Sequence, residues 1–116
     1  MVAHICHVLF PLASLTEQER YMVHAIPEQY LLPHDLLNDA FHVVSPVEEN
    51  SPWTRRMSEQ EKAAVLRFGV VLRSQSEQID VDKLAWVDLV HHCPVWKSIR
   101  LAAQDCLSSL GCMNAA

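Results

Sequence analysis

Apolar residues recur at helical spacings over most of this chain. They are densest in the run Ala63-Ala64-Val65-Leu66-Arg67-Phe68-Gly69-Val70-Val71-Leu72, which holds a single charge. A helix on the surface of a globule shows an apolar stripe of roughly 100°, so a run apolar almost all the way round must be covered on several sides. Ahead of it, Ser58-Glu59-Gln60-Glu61 reads as a capping box, with acids placed to favour the positive end of a helix. The pattern predicts a long central helix over about 58–78. Gly69 in its interior costs about 1 kcal/mol relative to alanine, so a compensating close approach by another helix is expected, from the same chain or from a second copy.

The flanking segments carry the same periodicity. Leu84, Val87 and Val90, with Leu89, form an apolar face over about 82–92 that runs towards His91-His92. Cys93-Pro94 interrupts it, because the residue before a proline is pushed out of helical dihedrals. Val95, Ile99, Ala102, Ala103, Cys106, Leu107 and Leu110 then recur at threes and fours over about 94–110, bracketed by Pro94 and Gly111. Towards the N-terminus, Thr16-Glu17-Gln18-Glu19 is a second capping box and opens a short helix that Pro27 ends. Pro33 suits the first turn of another helix, with Leu36, Leu37, Ala40, Phe41 and Val44 on one face and Ser45-Pro46 as its stop. Residues 45–57, with Pro46, Pro52, Glu48 and Glu49, read as a loop or linker. Residues 1–15 alternate poorly and are expected to form an apolar arm packed on the bundle, with strand and coil both open. The predicted fold is all-α: a single-domain small helical bundle spanning 1–116, with a long central helix and a kinked C-terminal helix pair.

Composition narrows the function classes. The chain has 116 residues and a formal net charge of −5, with Arg55-Arg56 as its one adjacent basic pair. Nucleic-acid binders usually carry a clustered basic face, so no nucleic acid is expected as partner. The stretch Val2 to Leu15 lacks a cationic leader and meets Pro11 too early to span a bilayer, so no membrane partner and a cytoplasmic location are expected. Cys6, Cys93, Cys106 and Cys112 follow no repeated spacing and are read as reduced thiols, with Cys106 a small hydrophobe on a helix stripe. No disulfide, metal or cofactor is expected.

His4, Cys6 and His7 near one end and His91, His92 and Cys93 near the other supply zinc-type ligands, but not as paired ligands on a knuckle. Cys93 beside His92 suggests a nucleophile and base, yet such dyads are built across space from separate elements. With Gly69 and Gly111 the only glycines, no glycine loop can cradle a phosphate. A metal-binding or thiol enzyme using His91, His92 and Cys93 is therefore the alternative reading. DNA binding through the Arg55-Arg56 corner, with helix 94–110 as reader, is a second, weakened by that helix having only Lys97 and Arg100 to neutralise phosphates.

The leading expectation is a non-enzymatic protein–protein interaction module. It would be a regulator or inhibitor of the anti-activator type that occludes a surface of a larger protein such as a transcription factor. Small bacterial regulators share its size and composition, although no residue motif carries a family resemblance. A homodimer is expected through Val65, Leu66, Phe68, Gly69 and Leu72, since obligate dimer interfaces resemble a core cut in half. A partner surface is expected around Trp86, Val90, Trp96 and Arg100, because Trp96 and Arg100 share a helical face beside the Pro94 kink. Trp53, between Pro52 and Arg55, is read as a staple at the start of the central helix.

Overall fold

The structure is a computed structural model that describes residues 1–24 and 31–112. Among these residues it contains helices and no strand, as the periodicity predicts. The helices are α1 (Val2–Ala13), α2 (Leu15–Gln18), α3 (Pro33–Glu48), α4 (Glu59–Ser76), α5 (Trp86–His92) and α6 (Pro94–Ser109). A π-helical turn, Glu19–Val23, continues α2, and its wider step is seen where the His24 amide donates to the Glu19 carbonyl at 2.9 Å. Pro27, the expected stop of that segment, lies outside the described residues.

The first fifteen residues correct the strand-or-coil expectation. Ile5, Leu9, Leu12 and Ala13 are buried on one side of α1, a spacing of four, three and one that belongs to a helix. Pro11 does not prevent this. It removes one amide near the end of the helix, where the carbonyl left without a donor is that of the exposed His7. The next cap is displaced from the expected one: Ser14, not Thr16, accepts from the Glu17 amide at 3.1 Å, and α2 starts there.

α6 occupies the centre of the packing, with α4, α1 and α5 against it, while α3 packs on α1 and α4. The capping box of α4 is present as predicted, with the Glu61 amide donating to the Ser58 hydroxyl at 3.1 Å and the Ser58 amide to Glu61 at 2.8 Å. The crossing that Gly69 permits is within the chain. A Cβ there would stand 2.7 Å from Val44 Cγ1 of α3, closer than carbon atoms pack. Val65, Phe68, Gly69 and Leu72 are therefore buried by the protein's own helices and offer no surface to a second copy, which corrects the expected dimer interface. Of that set only Leu66 stays outside, 40% exposed, one turn from Val70 at 70%.

Residues 45–57 are more ordered than a linker. α3 runs through Pro46 to Glu48, so the Ser45-Pro46 stop comes three residues early. Beyond it Thr54 and Met57 are buried, and the Thr54 hydroxyl donates to the Ser51 carbonyl at 2.8 Å. Glu48 accepts from Arg73 of α4 in a bidentate ion pair, with the Arg73 Nε at 2.8 Å. Trp53 is 53% exposed and meets the His4 ring edge-on at 6.0 Å, so it rests on α1 instead of stapling α4.

Candidate functional site

The end of α1 organises the most polar part of the interior. A helix leaves its last carbonyls without intrahelical donors, and burial makes each of them costly. Here all four find partners: the Ser14 amide serves Phe10, Gln18 Nε2 serves Pro11 at 3.0 Å and Leu12 at 2.6 Å, and Gln104 Nε2 serves Ala13 at 2.8 Å. The other end of the Gln18 amide accepts two donors from α6, Trp96 Nε1 and Arg100 Nη1, both at 3.0 Å. Arg100 Nη1 also donates to the Val90 carbonyl near the end of α5, at 3.2 Å. One buried glutamine thus joins α1, α2 and α6, and Arg100 extends the link to α5.

This node corrects the expected partner surface. Trp96 is fully buried, Val90 is buried and Arg100 nearly so, leaving Trp86 half-buried at the core edge. Burial pulls the Arg100 guanidinium below its ordinary value, and the charge of Glu19 partly opposes that. Trp96 and Arg100 do share a face, as their spacing implies, but the face points inward. Gln18 was not singled out in the sequence; it stands inside the expected Thr16–Glu19 capping box, where a polar residue reads as solvent-facing.

The histidine and cysteine groups do not converge. Cys6 of α1 is disulfide-bonded to Cys112, just past α6, with Cα atoms 6.2 Å apart, which overturns the reading of four reduced thiols. Among the described residues no three histidine, cysteine or acidic side chains gather as a ligand set. Cys93 is a free, half-buried thiol at the α5–α6 kink, and the adjacent His91 and His92 rings are tilted with centroids 6.3 Å apart. Cys106 is buried as expected, and burial pushes its thiol up to about 12.

An open groove of about 660 Å³ lies between α1 and the end of α6. Its walls include Ala3, His7, Phe10 and Leu107, and the Cys6–Cys112 bond stands in its side. Glu17 is the acid on its rim. The residues combine apolar walls with few polar groups, the usual makeup of a site for an apolar ligand or side chain. No protein-family model, no curated protein and no solved structure matches the chain.

Proposed function

We propose that the protein is a non-enzymatic protein-binding module of the regulator or inhibitor type, and that its partner inserts apolar side chains into the groove between α1 and the end of α6. The observation that carries this reading is the groove itself, an apolar concavity left open after the core has been closed over the α4 run and over Trp96. Anchoring of a partner helix by apolar side chains in such a groove is a recurring mode of recognition, and occlusion of a transcription factor surface is one use of it. Self-association is a separate matter. Through α4 it would have to use Leu66 and Val70, the exposed large apolar residues of that helix.

The test is a rim substitution that fills the groove without touching the core. Ala3 is exposed and lines it, so Ala3→Arg should leave the melting curve close to that of the native chain. Affinity capture from the native cell with the two proteins side by side should recover a partner with the native chain and lose it with Ala3→Arg. A partner held equally by both sinks the groove as the binding surface. The reading keeps a cytoplasmic setting, and among the described residues no helix is long and apolar enough to cross a membrane. Thiol trapping in intact cells checks that setting, since cytosolic thiols are held reduced: a fully formed Cys6–Cys112 bond in the cell would move the protein to an oxidising compartment.

A further inference from the structure

We infer that the cavity at the α5–α6 kink is a binding site for a small oxyanion of the phosphate class, independent of the groove and sharing no wall with it. The cavity measures about 270 Å³, room for a phosphate group and a small substituent. It is lined by His91, His92, Lys97 and Arg100, together with Cys93 and Pro94, and no acidic residue stands in its wall.

Two independent observations point to an anion there. The first is Arg100, whose side chain is more than nine-tenths buried yet forms no ion pair with a carboxylate among the described residues. Its Nη1 is spent on two neutral acceptors, the Gln18 side chain and the Val90 carbonyl. Nε and Nη2 have no protein partner among the described residues, and no fully buried side-chain nitrogen is left unsatisfied there. Arg100 itself lines the cavity. Glu19 is near enough for its charge to be felt at Arg100, but it makes no ion pair with it. A buried cation held by neutral groups keeps its full charge to offer, and a guanidinium presents donors in a fork that suits phosphate.

The second is the rest of the wall, which the first turn of α6 and the last turn of α5 build between them: Lys97 stands on the one, and His91 and His92 on the other. A wall with four nitrogen-bearing side chains is notable in a chain whose formal net charge is −5.

The test uses the full chain and inorganic phosphate as probe, followed by amide NMR at constant ionic strength against chloride. Saturable shifts are expected at the His91, His92, Cys93 and Lys97 amides, whose residues form the wall. His92→Ala with Lys97→Ala changes only exposed side chains and keeps the Gln18 node, so the variant should stay folded and bind phosphate about tenfold more weakly or worse. Linear shifts without saturation, or shifts equal in native and variant proteins, would overturn the site as ionic screening alone. Acetate run in parallel separates the ligand classes: weaker binding than phosphate supports the assignment, and equal or tighter binding overturns it in favour of carboxylates.

Discussion

α4 and α6 are of similar length, and both were read as surfaces that needed a partner, but they solve burial in different ways. α4 carries the densest apolar run and buries it by apolar packing, with Gly69 seated against Val44 of α3 and the exposed Arg73–Glu48 ion pair joining the same two helices. Among what it leaves outside are two large apolar residues, Leu66 and Val70. α6 carries a tryptophan and an arginine that suit a surface, and it buries both, because Gln18 brings an acceptor into the core to meet them. The comparison teaches that residue type does not settle exposure. An apolar residue is left out when no helix reaches it, and a polar one goes in when its hydrogen bonds can be completed there.

The comparison breaks first at Trp96. Trp96→Ala removes the largest fully buried side chain and a donor to Gln18, and should cost about 3–5 kcal/mol by denaturant melts. Near-native stability would mean that Trp96 faces solvent after all. Next in size is Cys6→Ser with Cys112→Ser, which opens a link across 106 residues between α1 and the end of α6. It should cost about 2–4 kcal/mol, matched by adding reductant to the native chain. A melt indifferent to reductant would remove the clasp from the account of the α6 side.

Smaller effects sharpen the α4 side. Gly69→Ala gains about 1 kcal/mol of helix propensity but forces Val44 to move, a strain of about 1–3 kcal/mol, so a net loss is expected. A gain in stability would show that α3 and α4 are not in close contact. Leu66→Asp with Val70→Asp should shift stability by no more than about 0.5 kcal/mol per site. Light scattering should leave both proteins at the 13.2 kDa chain mass, and a native mass twice that, halved in the variant, would make α4 a self-association face. The smallest effect is in acid. Arg73 donates to Glu48 and holds its carboxyl below the ordinary value of 4.5. This pair contributes stability above the ordinary value and loses it as pH falls through the lowered one. Glu48→Gln should lower stability slightly near neutrality and flatten the acid limb, leaving stability unchanged below the lowered value.

The α4 capping box, the extents of α4 and α6, the kink at Cys93-Pro94 and the buried Cys106 were legible along the chain, because caps, prolines and stripes act within a few residues of themselves. α1 was legible in principle from Ile5, Leu9, Leu12 and Ala13, and was obscured by Pro11, whose effect depends on which carbonyl it leaves without a donor. What only the tertiary structure decided was coverage. That Gly69 meets Val44, that Cys6 meets Cys112, and that Gln18 receives Trp96 and Arg100 are meetings across 25, 106, 78 and 82 positions. Periodicity states that a face must be buried or that a donor needs an acceptor. It does not say which distant residue provides either, because that depends on how the helices cross.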